Sequence, residues 1–379
     1  MRVVLLEPLG RGGIAEYTRE LAAALAAEGA AVEVLTARDH RYAAAPGVTV
    51  TAVVPWLRGR GRAGRLLRRA RLGPVVNALS FLLVLPRIAA RARNADVVHV
   101  QGFYFPPLLA LAMLALRAAA PGLVHTPHNT FDRGRGHRLP RRAMAALAAR
   151  TVVHVRADLG AVPDPARAVV IPLGEFGALA RSAAAADPAR ARARLGAREE
   201  ETVVLLYGQL RPDKGIADLL LAATRVPSLR VVLAGEELGG LADAEEALAS
   251  PELRERLVVL PGFQEAERTA ELFAAADVAA LPYRRASQSA VLLLAYGFAR
   301  PVVVYPVGGL PEAVREGETG WICAASTPEA LADTLGDVTR AGREECLRRG
   351  RAGRMLAERE HSWSGIARRT LDMYGEVLR

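Results

Sequence analysis

The sequence predicts two doubly wound α/β domains in tandem, and three observations predict it. Short continuous apolar runs alternate with helical periodicities, the pattern of parallel strands covered by helices on both faces. The alternation stops and restarts once, around the two prolines of Val162-Pro163-Asp164-Pro165, a composition suited to a linker. With 379 residues, 51% of them hydrophobic, the chain is long enough for two cores of ordinary size. The expected domains are 1–165 and 166–361, followed by a terminal helix over 362–379. In such folds ligands sit beyond the C-terminal ends of the strands, and two facing domains would place one in the cleft between them.

In order along the chain, residues 2–6 form a first strand. Ile14, Tyr17, Leu21 and Leu25 then recur at helical spacing, and Gly29 stops the helix. Residues 32–35 and 96–100 are strands, 108–119 an apolar helix, and 123–126, 152–155 and 169–171 further strands. After the linker the strands are 203–207, 230–234, 257–260, 278–281 and 302–304, with a helix over 216–223. A late helix opens at Thr327-Pro328-Glu329, where Ser326 and Glu329 have capping-box spacing.

Composition narrows the chemistry. Of 50 basic residues, 49 are arginine and one is lysine, Lys214. Any Schiff-base mechanism therefore has one candidate, and a two-lysine site is impossible. Two cysteines, Cys323 and Cys346, exclude a disulfide framework and a cysteine-based zinc site, and point to a reducing cytoplasm. Residues 1–7 read as a strand and show no signal-peptide pattern. The longest apolar run, 74–86, contains Asn77 and Ser80 and falls short of a bilayer span.

Net charge is +10, distributed as +13 over residues 1–165 and −3 over the rest. Arg58, Arg60, Arg62, Arg65, Arg68, Arg69 and Arg71 occur without an acid among them. An apolar segment and Arg87, Arg91 and Arg93 follow. The expectation is an interfacial element on anionic lipid, with Arg65, Arg68 and Arg69 as its surface. A solvated loop and a nucleic-acid contact are the rivals. No aromatic residue interleaves with these arginines, which argues against a single-strand stacking platform, and no nucleic-acid partner is expected.

Four constellations can carry chemistry. Gly10-Arg11-Gly12-Gly13-Ile14-Ala15 matches the dinucleotide pattern G-x-G-x-x-A. The acid that pattern requires after the second strand is missing, since Thr36 ends that strand and Asp39 falls later. A glycine-rich sugar or phosphate loop, or a tight turn, are the other readings. His125-Thr126-Pro127-His128-Asn129-Thr130 follows a strand end, either as a polar site or as a loop with surface histidines. His99 and His154 read as core or cleft-wall residues. Tyr207-Gly208-Gln209-Leu210-Arg211-Pro212-Asp213-Lys214-Gly215 puts two cations at a helix start. They suit a diphosphate, Arg gripping two oxygens and Lys acting as a point charge. In Pro282 to Val291, Ser287 or Ser289 can cap a helix and leave N–H groups aimed at an anion.

Taken together these residues resemble retaining glycosyltransferases of family 4. The markers are Gly12-Gly13-Ile14, Asp96-Val97-Val98-His99-Val100, Thr126-Pro127-His128-Asn129 and Gly208-x-x-Arg211-Pro212-x-Lys214-Gly215. Ala274-Ala275-Ala276-Asp277-Val278, Arg300-Pro301-Val302-Val303 and Gly308-Gly309-Leu310-Pro311-Glu312 follow in order. The resemblance implies the GT-B fold, with an acceptor-binding first domain, a nucleotide-sugar-binding second domain and a terminal helix crossing back onto the first. It implies that Arg211 and Lys214 neutralise the donor diphosphate and that Gly12 and Gly13 lie under its phosphates. Gly262, Phe263 and Gln264 would contact the base, and His128 would approach the transferred sugar. His128, Arg211 and Lys214 are thus the catalytic candidates. One departure stands out: where the family usually has two glutamates eight positions apart, this chain has Ala286 and Leu294. Ser287-Gln288-Ser289 matches a subset of the family, so those three would take over donor contacts.

The function expected is transfer of a hexose-type sugar, with retention, from a UDP- or GDP-sugar to an acceptor hydroxyl in cell-surface glycan or glycolipid assembly. It would need no cofactor and no essential metal, use a lipid-linked acceptor, and work in the cytoplasm at the inner membrane face. A non-catalytic binding protein of the same fold and another sugar-nucleotide enzyme, such as an epimerase, are the alternatives.

Overall fold

The structure, a computed structural model, describes residues 1–43, 45–56, 73–102, 106–128, 138–176, 179–180 and 186–379. Arg65, Arg68, Arg69, Asn129 and Thr130 lie outside these described residues. The chain divides into two compact units, Met1–Gly174 with Trp363–Arg379, and Glu175–Ser362.

The first unit is built on a seven-stranded parallel sheet in the order β3-β2-β1-β4-β5-β6-β7. Its strands are β1 (Arg2–Leu6), β2 (Ala31–Ala37), β3 (Val48–Val54), β4 (Val97–Gln101), β5 (Gly122–Thr126), β6 (Arg150–Val153) and β7 (Ala168–Val170). β1, β4 and β5 are apolar runs buried on both faces. The helices Gly73–Ala92, Pro106–Ala119 and Arg138–Leu147 cover one face through Phe81, Val84, Ile88, Leu109, Met113, Leu116 and Met144. The helix Gly13–Ala27 packs against the terminal helix Trp363–Leu378.

Three expectations change here. The unit continues past residue 165 to Gly174, because β7 pairs in register with β6, Val152 opposite Val169. β3 escaped notice because its Val-Thr alternation gives a half-buried edge strand rather than a continuous apolar run. The apolar segment does not stop at Pro86. The helix Gly73–Ala92 runs through that proline, which faces solvent. Its stretch Val75–Ala92 is long and apolar enough to cross a bilayer by length and composition.

The second unit has a six-stranded parallel sheet, β10-β9-β8-β11-β12-β13. Its strands are β8 (Thr202–Tyr207), β9 (Leu229–Gly235), β10 (Leu257–Pro261), β11 (Val278–Leu281), β12 (Val302–Val304) and β13 (Gly320–Ile322). Two buried ion pairs tie its base: Arg192 to Asp277 at 2.8 Å and Arg230 to Glu201 at 2.8 Å. The late helix is capped by Thr327, whose hydroxyl accepts from Ala330 N, so the expected Ser326 cap is displaced by one residue. Helical structure continues from Pro328 to Glu360 with a break at Gly342. Cys323 and Cys346 are both buried free thiols.

In each sheet the strand order reverses at one place, beside β1 in the first and beside β8 in the second. Connections on either side of such a point diverge and leave a crevice at the strands' C-terminal ends, where α/β folds bind ligands.

Candidate functional site

In the first unit the switch point carries the glycine-rich turn after β1 and the polar residues ending β4 and β5. The turn is held from below by Glu7, fully buried, whose carboxylate accepts from Leu9 N at 2.9 Å and Gly10 N at 2.6 Å. The hydroxyls of Tyr42 and Thr36 also donate to it. Burial raises the Glu7 carboxyl above its ordinary value, against the pull of these donors. Arg11 is pinned outward by Asp39 at 2.9 Å. The helix Gly13–Ala27 therefore starts without a side-chain cap at Gly12, and Gly12 and Gly13 open onto unfilled space. That is a favourable place for an anion.

His128 lies just beyond β5 with φ of 60°, a left-handed conformation uncommon for a residue with a side chain. Its ring is sandwiched in polar contacts. One nitrogen, Nε2, is 2.8 Å from the Gln101 amide and the other, Nδ1, is 3.2 Å from His154 Nε2. His154 Nδ1 in turn is 2.9 Å from the Ile171 carbonyl. The proton positions follow from that carbonyl, which can only accept. His154 donates from Nδ1, so its Nε2 accepts if the ring is neutral, and His128 donates from Nδ1. The His128 Nε2 lone pair then faces Gln101, which must turn its NH2 toward it. The amide oxygen is left on the side with no hydrogen-bond partner among the described residues. Burial, reinforced by the neighbouring histidines, pushes His128 well below the ordinary imidazole value, and burial lowers His154 to about 4. Both rings are therefore neutral near pH 7. Tyr17 packs edge-on against both rings.

His125 and His99 point elsewhere. His125 donates to the Gly102 carbonyl at 2.9 Å, and His99 bridges Tyr374 and Thr126 inside the core. The structure thus pairs His128 with His154 rather than with His125, the partner the sequence suggests. His154 directly follows β6, and β6 neighbours β5 in the sheet; adjacent parallel strands bring the residues just beyond their C-terminal ends together, a signal the sequence order alone hides. Gln101, Glu7 and Tyr17 were likewise missed.

In the second unit three loops converge at the ends of β8, β11 and β12, and glycine makes the convergence possible. A Cβ on Gly215 would sit 1.9 Å from the Pro282 carbonyl oxygen, and one on Gly308 would sit 1.8 Å from that of Ala286. Arg284 N donates to Asp213 O and Gly309 N to Ser287 O, stitching the loops together. Lys214 Nζ lies 3.6 Å from the centre of the Tyr283 ring, a cation–π contact that steers the ammonium. Arg211 is held in plane by Asp213 through two bonds of 2.9 Å. Burial alone would raise the Asp213 carboxyl, but the Arg211 bonds and charge outweigh it and hold it below its ordinary value. Ser289 caps the helix Ala290–Gly297 by accepting from Leu292 N at 3.3 Å, while Ser287 is buried. Gln264 folds back onto Gly262 and Leu260 and leaves the Phe263 ring 79% exposed. Among the described residues no group of His, Cys, Asp and Glu is arranged to hold a metal ion.

The arrangement offers a neutral histidine and an uncapped helix end in one unit, and two oriented cations with a capped helix start in the other. Comparison with known proteins adds the family. Residues 11–174 match the family described as Glycosyltransferase Family 4, and residues 187–355 the one described as Glycosyl transferases group 1. The D-inositol 3-phosphate glycosyltransferase of Mycobacterium avium is 30% identical over 397 residues, covering 97% of this chain and 90% of that protein. Among solved structures, sucrose-phosphate synthase from Thermosynechococcus elongatus superposes with a TM-score of 0.77 at 20% identity over 100% of this chain and 99% of that one. HepE of Anabaena, in complex with UDP and glucose, does so with a TM-score of 0.74 at 19% identity over 99% of each.

Proposed function

The chain belongs to glycosyltransferase family 4 and is a glycosyltransferase of the GT-B fold, and from that premise we propose that it moves a hexose-type sugar, with retention, from a nucleoside-diphosphate donor to an acceptor hydroxyl. The observation that carries this reading is the loop 208–215, which sets Arg211 and Lys214 at the switch point of the second sheet. As the bond from the sugar's C1 to the phosphate oxygen breaks, negative charge grows on the leaving diphosphate. Cations already oriented by Asp213 and Tyr283 stabilise that charge without reorganising. The acceptor oxygen bonds to C1 on the face the diphosphate leaves, and its proton passes to the departing phosphate oxygen. In this reading Arg211 and Lys214 do the neutralising that a metal ion does elsewhere.

Ser287, Gln288 and Ser289 replace the glutamates absent at Ala286 and Leu294 as donor contacts. Gly262, Phe263 and Gln264 take the base, the exposed Phe263 ring by stacking. Gly12 and Gly13 approach the donor phosphates, and His128 approaches the transferred sugar, its neutral ring held in place by Gln101 and His154. HepE, of the same fold, is crystallised with UDP and glucose, which supports UDP-glucose as the first donor to try, with GDP-sugars next. The acceptor we propose is lipid-linked, in cell-surface glycan or glycolipid assembly at the cytoplasmic face of the membrane.

The test is Lys214→Ala, which removes the single lysine of the chain. Loss of a preorganised charge at a transition state costs about 10²–10³ in turnover, so donor turnover with and without acceptor should fall by that order. Activity within a few-fold of the parent would overturn the diphosphate assignment. A parent protein that shifts its melting temperature with UDP-, GDP-, ADP- or dTDP-sugars but never turns them over would instead be a binding protein.

A further inference from the structure

On the face of the first sheet covered by the helices Gly73–Ala92, Pro106–Ala119 and Arg138–Leu147, the outward sides of those helices are apolar too. The three pack side by side. A helix on a soluble surface turns charged and polar residues outward, yet here the exposed residues of the first include Val75, Leu79 and Leu83, and those of the second are Pro107, Leu111, Leu114 and Ala118 with a single charge, Arg117. Leu139 continues the patch on the third. Leu83 is 79% exposed, Leu114 55% and Leu139 77%. Only 22% of the stretch Val75–Ala92 is buried, although Phe81, Val84 and Ile88 fix the helix to the sheet. It therefore lies along the fold rather than leaving it.

Charge identifies what covers this face. The three helices contain arginines and not one carboxylate. Arg87 and Arg142 are exposed and form no ion pair among the described residues, and Arg93 follows directly on the first helix. Apolar centre and cationic rim together match the headgroup–acyl boundary of an anionic bilayer, where leucines enter and arginines meet phosphates. We propose that this three-helix face is the surface by which the protein lies on anionic membranes. The inference deepens the reading of a lipid-linked acceptor by naming the contact surface, and it rests on that reading only for why the protein should be there.

Vesicle co-sedimentation of the full chain tests it. The parent should pellet with phosphatidylcholine vesicles containing phosphatidylglycerol, and several-fold less with phosphatidylcholine alone. The double variant Leu83→Ser/Leu114→Ser should lose about tenfold or more on the anionic vesicles. Arg87→Gln/Arg142→Gln should lose several-fold on anionic vesicles and nothing on neutral ones. All lie at exposed positions, so their melting and their donor turnover in solution should match the parent. Parent-like vesicle binding by the leucine variant overturns the proposal. So does a parent that ignores vesicles but sediments as a dimer that the leucine changes dissolve, since a second copy would then cover the face. Donor turnover separates this outcome from failure of the transferase reading.

Discussion

His128 shows what burial does to a catalytic candidate. Its left-handed backbone and its chain of contacts to Gln101, His154 and the Ile171 carbonyl make sense only for neutral rings. Burial, ahead of neighbouring charge, lowers His99 to about 3 and His128 well down, and it lowers His125 and His154 to about 4. The unfolded chain takes up these protons near an ordinary imidazole pKa and the folded chain does not. Between about pH 6.5 and 4 the unfolded state thus binds more protons, and stability falls as pH falls. His99, His125 and His154 each contribute on the order of 1–3 kcal/mol across that window. The raised Glu7 carboxyl works the other way and returns part of the loss at its acid end. Urea unfolding of the first unit at pH 7 and pH 5 should show the drop, and His154→Phe should flatten it. A slope unchanged by that substitution would show that His154 is not held neutral.

The loops of the second unit act as one element. Gly215 and Gly308 let backbone approach backbone, so the segments carrying Arg211, Lys214 and Ser287 share one geometry. Gly215→Ala places a methyl group against the Pro282 carbonyl at a positive φ of 68°, so the two loops must part. Donor KM should rise by tenfold or more, with a stability loss of about 1–3 kcal/mol. An unchanged KM in calorimetric or kinetic titration would count against the shared geometry. At the base of the same unit, Asp277→Ala leaves Arg192 buried and unpaired and strips Val203 N of its acceptor. The expected cost is about 3–5 kcal/mol in denaturant unfolding. Much at this scale was legible in the sequence, because apolar runs, the Arg211-Pro212-x-Lys214 loop and the Ser289 cap are local signals. The GT-B fold was legible through motif order. Glu7, Gln101 and His154 were not, because each gains its partners from strand neighbours distant in sequence. β3 was not, because its half-buried alternation lacks the contrast of a central strand.

For the whole molecule, the telling feature is that the first unit is completed by the last seventeen residues, Trp363–Arg379. The crossings into and out of the second unit run together: Gly174 is packed tightly against the Trp363 ring, and Glu175 N donates to the His361 carbonyl at 2.8 Å. The returning helix buries Ile366, Ala367, Thr370, Met373 and Tyr374. Its Tyr374 hydroxyl lies 2.6 Å from His99 Nδ1 at the centre of the first sheet, while His99 Nε2 is 2.7 Å from Thr126 Oγ1. The helix Trp363–Leu378 thus holds the strand end beside the candidate histidine site. Tyr374→Phe keeps the ring and removes one oxygen, so it leaves a fully buried imidazole nitrogen without a partner at a cost of about 1–3 kcal/mol. That cost falls on β4 and β5, which His99 and Thr126 join, and not on the separate core around Val204, Leu233 and Val303. Hydrogen exchange should therefore show lost protection at amides of β1, β4 and β5, with β8, β9 and β12 as in the parent. Equal loss in both sheets would mean that the terminal helix stabilises the molecule as a whole rather than the unit it completes.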